Sequence, residues 1–133
     1  MKIQESQENY LKTIFLLDKK GEVRAIDVAR ELGFSKPSVS RAVHLLKDAG
    51  FLNIETSGEL KLTPTGHAKA SEVFKKHETI KSFLITCLGI DESLAEKEAC
   101  HIEHVIGAET FQAMKRRLKN SCWVSHKLHK EAL

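Results

Sequence analysis

The chain has 133 residues, of which 41% are hydrophobic and 29% charged, so it can build one compact domain or two small ones. With 2 Pro and 7 Gly, the composition favours helices and argues against an all-β sandwich. It has no apolar signal segment and no run of about 18 apolar residues, so we expect a cytoplasmic protein without a membrane role. The net charge of +3 does not reveal the partner.

The first half of the sequence has the pattern of a winged helix. Apolar side chains recur every three to four positions over residues 8–19 and predict a first helix. Two shorter helices are predicted over 25–32 and 36–49, joined by a tight turn. Residues 51–63 then alternate apolar and polar side chains about a Ser-Gly pair, which predicts a β-hairpin.

The second half of the sequence is predicted to be all helix. A long helix opens at Thr65-Gly66 and runs to about residue 88, and further helices are expected over 91–106 and 109–119. A separate last segment begins at Ser121, where Trp123 could cover the core or a subunit interface. We therefore predict a mainly α fold, with a winged helix-turn-helix domain over residues 1–66 and an all-helical domain over residues 67–133.

The third predicted helix carries side chains suited to reading DNA. Its exposed face should present short hydroxyls and cations that reach base edges and phosphates in the major groove, with little apolar surface. The alternative is that these helices serve protein contacts. One such unit makes few contacts, so we expect a dimer that reads two half-sites about one helical turn, or a multiple of it, apart. The predicted DNA-binding residues are Ser35, Lys36, Pro37, Ser38, Ser40 and Arg41.

A second group of residues has the spacing of metal ligands. Cys100, Glu103 and His104 stand at i, i+3 and i+4 of a predicted helix and share one face, and His77 on another helix could add a nitrogen ligand. A thiolate with two imidazoles favours iron(II), zinc or cobalt(II) over manganese. Two other interpretations stay open: a buried thiol beside solvated side chains, and a nucleophile and base of a hydrolase. His101 should point away from this face.

With both features present, the sequence resembles the diphtheria-toxin-repressor family (DtxR/MntR type) of iron- and manganese-dependent transcriptional regulators. The resemblance implies a homodimer built by the C-terminal helices, metal at the junction of the two halves, and a winged helix-turn-helix at each outer end. We expect the short form of the family, without an SH3-like third domain. The matching stretches, in the family's order, are residues 10–14 (YLKTI), 35–40 (SKPSVS), 62–66 (LTPTG), 76–77 (KH) and 98–105 (EACHIEHV).

The resemblance also implies roles for individual residues. The iron-type members hold their principal metal at the positions of Cys100, Glu103 and His104. The residue before the first-helix tyrosine completes that site, and here it is Asn9, where the family usually has methionine or aspartate. His77 matches an ancillary or second-site ligand.

Three further positions depart from the family pattern. Lys12 stands where manganese-type members have a glutamate, and Lys81 where iron-type members have a carboxylate. Glu96 stands where an ancillary histidine is expected, and its carboxylate could still coordinate a metal. Two cations near a dication are unfavourable. The departures therefore favour a single cysteine-containing site over a binuclear manganese site.

We predict a metal-dependent DNA-binding transcriptional regulator, not an enzyme, that represses metal-homeostasis genes, with metal binding favouring the DNA-binding dimer. The expected cofactor is iron(II), with zinc(II), cobalt(II) or manganese(II) as alternatives. The expected partners are a double-stranded DNA operator and a second copy of the chain. The alternative function is a winged-helix regulator that has lost metal control and responds to thiol oxidation or an organic ligand.

Overall fold

The computed structural model describes the backbone of residues 5–132 and the side chains of residues 6–120. Within them the chain is mainly helical, as predicted, with six helices and one two-stranded antiparallel sheet. The side chains of Cys122 and Trp123 lie outside the described residues. The elements in chain order are α1 (Glu5–Asp18), α2 (Ala25–Leu32), α3 (Lys36–Asp48), β1 (Leu52–Ile54), β2 (Leu60–Leu62), α4 (Pro64–Leu88), α5 (Glu92–Val105) and α6 (Ala108–Ala132).

The chain divides into two compact units, Met1–Val73 and Phe74–Leu133, and the division falls inside helix α4. None of the described helices combines the length and the apolarity that crossing a membrane requires. The first unit contains α1 to α3 and the hairpin, and the second contains α5 and α6. Each unit is described by itself below.

The turn between α2 and α3 follows from residues with local conformational preferences. Gly33 adopts a left-handed φ of 70°, and its N–H donates to the Ala29 carbonyl, which ends α2. Ser35 caps α3 by accepting a hydrogen bond from the Ser38 N–H, and Pro37 lies in the first turn, where no N–H is needed. Ala29 is buried, as its small size permits.

The hairpin has a fixed register and is tied to the start of α2. Leu52 pairs with Leu62 and Ile54 pairs with Leu60. The Leu60 N–H donates to the Val23 carbonyl at 2.7 Å, which extends the pairing to the segment before α2. Leu52 and Leu60 are both buried, so the hairpin covers the core of the first unit.

The second unit has its own apolar core, made by α4, α5 and α6. Ile80, Leu84, Ala95 and Ala99 form its buried centre, and side chains of α6 pack against them. Asp91 caps α5, with its side chain accepting a hydrogen bond from the Ser93 N–H, as the sequence indicated.

The prediction of a separate segment from Ser121 is wrong. The backbone of α6 continues as one helix from residue 108 to residue 132. The physical reason is that neither glycine nor proline occurs in this stretch, and a single Asn-Ser pair does not break a helix.

Candidate functional site

Helix α3 presents one polar face to solvent. Val39, Val43 and Leu46 are buried on its other side, which fixes the orientation of the helix in the first unit. All six residues that the sequence analysis assigned to DNA are exposed, and they lie at the start and along the outer face of the helix: Ser35, Lys36, Pro37, Ser38, Ser40 and Arg41. The structure is therefore compatible with DNA reading by this face.

Two of these residues, Ser35 and Ser38, also stabilise the first turn of α3. The Ser35 hydroxyl donates to Ser38 Oγ at 2.9 Å, and the Ser38 N–H donates to Ser35 Oγ at 3.3 Å. These contacts hold the first turn of α3 in one conformation. Backbone N–H groups at a helix start attract phosphate, so this turn can position a DNA backbone.

The expectation of little apolar surface at the reading face is wrong. Leu45 is 49% exposed and lies four residues after Arg41 on α3, and Phe34 in the preceding turn is 51% exposed. Leu45 faces outward because Val39, Val43 and Leu46 are the α3 side chains that fill the core, whereas the Phe34 ring lies 6.0 Å from the Tyr10 ring and stays half exposed. Apolar side chains of this kind can contact thymine methyl groups in the major groove.

The hairpin tip is positioned by Arg24. Its guanidinium donates to the Ser57 carbonyl at 2.6 Å, and its backbone N–H donates to Asp27 Oδ2 at 2.9 Å. One residue therefore links the tip of the hairpin to the start of α2. Lys61 is exposed on β2 and is available for a backbone phosphate.

A buried polar cluster lies in the second unit, between α4 and α5. His77 on α4 is 3% exposed, and Glu103 on α5 is 2% exposed. His77 Nδ1 is 3.0 Å from Glu103 Oε2, and the other Glu103 oxygen is 3.2 Å from His104 Nε2. The structure thus brings together three of the predicted metal ligands in a site shielded from water.

Cys100 joins this cluster through His77. A ligand atom of His77, a carboxylate oxygen of Glu96 and the Cys100 sulfur all lie within 4.8 Å of one another. Cys100 is half-buried and is not in a disulfide, while His101 on the other side of α5 is exposed, as predicted. Nitrogen, oxygen and sulfur donors of this kind suit a divalent transition metal.

Glu96, which the sequence identified only as a departure from the family pattern, contacts two side chains of α4. Its Oε1 is 3.0 Å from His77 Nε2, and its Oε2 is 3.0 Å from Lys81 Nζ. Partial burial raises the pKa of Glu96, but hydrogen bonds from Lys81 and His77 outweigh this and hold it below its usual range. The hydrogen bond to Glu96 raises the pKa of Lys81. The four-residue spacings of His77 with Lys81 and of Glu96 with Cys100 place each pair on one face of its own helix, but they do not indicate the pairing between the two helices.

The structure does not test the role predicted for Asn9. This residue is half-buried on α1, in the first unit, whereas the other predicted ligands belong to the second. Lys12, one turn later on α1, is buried. Asn9 as a fifth ligand stays a prediction.

Comparison with known families gives two matches that together cover most of the chain. The family model described as "Iron dependent repressor, N-terminal DNA binding domain" matches residues 2–60. The model described as "Iron dependent repressor, metal binding and dimerisation domain" matches residues 63–129. The first match contains the exposed face of α3, and the second contains the buried cluster.

Individual proteins are similar to this chain over most of its length. A helix-turn-helix transcriptional regulator of Methanocaldococcus jannaschii is 33% identical over 84% of this chain and 90% of its own. The diphtheria toxin repressor of Corynebacterium diphtheriae is 32% identical over 87% of this chain but only 52% of its own. The crystal structure of the T. acidophilum regulator IdeR matches with a TM-score of 0.75 and 30% identity, covering 90% of this chain and 55% of that one. The chain thus spans about half the length of the longer proteins it matches.

Proposed function

Because the chain belongs to the iron dependent repressor family, whose members are DNA-binding transcription regulators and not enzymes, we propose that it represses metal-homeostasis genes when it holds a divalent metal. The observation that carries the proposal is the buried cluster of His77, Glu103 and His104, with the Cys100 sulfur within 4.8 Å of a His77 nitrogen and a Glu96 oxygen. Buried groups of this chemistry are costly unless they are paired or coordinate a metal.

We propose iron(II) as the physiological metal, held by His77, Cys100, Glu103 and His104 with Asn9 as the closing oxygen ligand. One thiolate, two imidazoles and a carboxylate form a donor set that suits iron(II), cobalt(II) and zinc(II), while manganese prefers oxygen ligands. When bound, the metal ion supplies a positive charge that these donor atoms would coordinate together. The proposal is supported by the short distances of 3.0 and 3.2 Å from the two Glu103 oxygens to nitrogens of His77 and His104.

The proposed DNA partner is a double-stranded operator read by a homodimer. We propose that Ser35, Lys36 and Arg41, which are all exposed, contact phosphates and base edges, and that the hairpin held by Arg24 adds a contact to the DNA backbone. Two copies related by a two-fold axis would read two half-sites about one helical turn, or a multiple of it, apart. A metal that binds the DNA-competent form more tightly shifts the population towards that form, and DNA then tightens metal binding by the same factor.

The test is an anaerobic titration of the purified protein with cobalt(II), followed by thiolate-to-cobalt charge-transfer absorption. A DNA duplex is first enriched from a randomised pool with and without cobalt(II), and its binding is then measured by gel shift. We expect saturable charge-transfer absorption and tighter DNA binding with cobalt(II) than with chelator.

Two cysteine variants sharpen this test. Cys100→Ala should abolish the charge-transfer band and weaken cobalt(II) binding by more than about 10-fold, the smallest loss typical of altered metal surroundings. Cys87→Ala, at a half-buried cysteine at the end of α4, is the matched control and should retain both. DNA binding that is equal with metal and with chelator would contradict the proposal.

A further inference from the structure

A cavity of about 340 Å³ lies in the first unit, where the end of α1 faces α2. This volume is near the lower end of the range of about 300–1,000 Å³ found for small-molecule sites, so it suits a compact molecule. None of its lining residues belongs to the buried cluster of the second unit or to the exposed face of α3. The walls combine apolar, hydroxyl and charged side chains: Thr13, Leu16, Leu17, Lys19, Lys20 and Glu31.

The wall contributed by α1 is one face of that helix. Leu16 and Leu17 follow Thr13 by three and four residues, so the three side chains are neighbours on the helix surface. Lys20 comes in the turn after the helix, and its N–H donates to the Leu17 carbonyl at 2.9 Å, which fixes the backbone of this turn. Leu16 and Leu17 are half-buried, so an apolar surface remains open to a ligand.

Three polar groups on the wall have no partner within the part of the chain that the structure describes. Thr13 is 8% exposed, and its hydroxyl takes part in no hydrogen bond there. Neither Lys20 nor Glu31 takes part in an ion pair there, although both line the same cavity. In the smaller cavity next to it, Arg30 and Asp27 already pair with each other at 3.7 Å. The larger cavity therefore offers a hydroxyl, an ammonium and a carboxylate to a ligand.

The two wall charges have opposite signs, which restricts the chemistry of the ligand. A simple carboxylic acid would be attracted by Lys20 but repelled by Glu31, and for a simple amine the two effects are reversed. A zwitterion matches both charges at once, and an apolar group on the same molecule can cover the leucine side chains.

We propose that this cavity binds a free amino acid with an apolar side chain. Its carboxylate lies towards Lys20 and the Thr13 hydroxyl, its ammonium lies towards Glu31, and its side chain packs against Leu16 and Leu17. The site lies wholly within the first unit and needs no metal, so this inference does not rest on the proposed function.

The experiment uses L-leucine and the full-length protein labelled with nitrogen-15, at pH 7. Chelator is present throughout, because a free amino acid also coordinates metal ions. We expect saturable changes in the amide chemical shifts, centred on residues 13–31, with a Kd below about 1 mM. Two analogues of leucine, 4-methylpentanoic acid without the ammonium and 3-methylbutylamine without the carboxylate, should each bind at least about fivefold more weakly, because each leaves one wall charge unpaired.

Two variants test the wall charges. Lys20→Met and Glu31→Gln each remove one charge at an exposed residue with little change in size, and each should weaken leucine binding by about fivefold or more. The matched controls are Lys61→Met and Glu55→Gln, at exposed residues of the same unit that do not line the cavity. Both controls should bind leucine as the unaltered protein does.

The outcomes are separate from those of the cobalt(II) and DNA measurements. The absence of saturable shifts around residues 13–31, or equal binding of leucine and its two analogues, would overturn the amino-acid site. Equal affinities of the unaltered protein, Lys20→Met and Glu31→Gln would overturn it as well. None of these results would change the evidence for a metal-dependent regulator.

Discussion

Glu103 is a carboxylate almost completely shielded from water. Its two oxygens lie 3.0 Å from His77 and 3.2 Å from His104. A buried carboxylate is stable only where nitrogen donors replace the water that it has lost. Both imidazoles lie against this carboxylate, although the approach of His77 Nδ1 to Glu103 Oε2 is not a hydrogen bond.

Replacing Glu103 by alanine should destabilise the protein even in the presence of chelator. The buried His104 imidazole would lose the carboxylate beside it, and leaving a buried polar group without its partner typically costs about 1–3 kcal/mol of unfolding free energy. Glu103→Gln should cost less, about 1–2 kcal/mol, because the amide retains the shape and one acceptor. Urea denaturation with chelator measures both changes.

The matched control is Glu98→Ala, at an exposed glutamate of the same helix. Surface substitutions of this kind usually change the unfolding free energy by less than about 0.5 kcal/mol. If Glu103→Ala were no more destabilising than Glu98→Ala, the supporting role assigned to Glu103 would be wrong.

At the scale of elements, the junction between the hairpin and α4 is tightly built. The Thr63 hydroxyl donates to the Gly50 carbonyl at 2.7 Å, and the Gly66 N–H donates to Thr63 Oγ1 at 3.0 Å. Thr63 thereby caps α4, and Pro64 supplies its first residue, so the helix starts one residue before the predicted Thr65. Gly66 is needed because the backbone of Phe51 passes directly beside it.

Gly66→Ala should destabilise the first unit. A Cβ at this position would lie 1.9 Å from the Phe51 carbonyl oxygen, so backbone must move. Overpacking of this kind costs about 1–3 kcal/mol, which exceeds the gain of about 0.5–1 kcal/mol from replacing glycine by alanine in a helix. Thermal or urea denaturation gives the net change.

Gly107→Ala is the matched control, because, among the described residues other than its chain neighbours, no atom lies within 4 Å of its added Cβ. Its effect should stay below about 1 kcal/mol, the modest loss expected when alanine replaces glycine before a helix. A stability of Gly66→Ala equal to or above that of the unaltered protein would show that Phe51 adapts without strain.

At the scale of the whole molecule, the chain carries its two proposed activities in two compact units. The exposed face of α3 belongs to the first unit, and the buried cluster belongs to the second. Each unit matches a different domain of the same repressor family. In a homodimer every proposed DNA contact is made twice, so a single substitution removes two contacts from the complex.

Arg41→Ala should therefore weaken binding to the enriched duplex by about 30-fold or more, because each lost contact contributes about 1–3 kcal/mol and two are lost. If Arg41 contacts phosphate, the salt dependence of binding should also decrease. Gel shifts at several fixed salt concentrations measure both effects. Arg116→Ala removes the same charge from an exposed position of α6 and should leave DNA binding nearly unchanged; equal losses in the two variants would contradict the placement of Arg41.

Most of the fold could be read from short stretches of sequence, because the signals that start and end helices are local. Gly33, Ser35 and Asp91 mark helix ends through their own backbone and side-chain preferences, and the structure agrees at each. The continuation of α6 through Ser121 was missed because a weak local signal was taken as a break. The exposure of Leu45 was missed because the helical period alone does not say how wide the buried stripe is.

Part of the candidate metal centre can be predicted from local sequence, and the rest depends on how distant helices pack. The spacing of Cys100, Glu103 and His104 on one helix was enough to predict that they share a face, since the geometry of a helix is regular. The pairing of His77 with Glu103, and of Lys81 with Glu96, depends on how α4 packs against α5. That packing is set by the apolar core around Ile80 and Ala99, whose contacts join residues far apart in the chain. No short stretch of sequence contains this information, so the partners of the buried carboxylate and the position of the lysine became evident only from the three-dimensional arrangement.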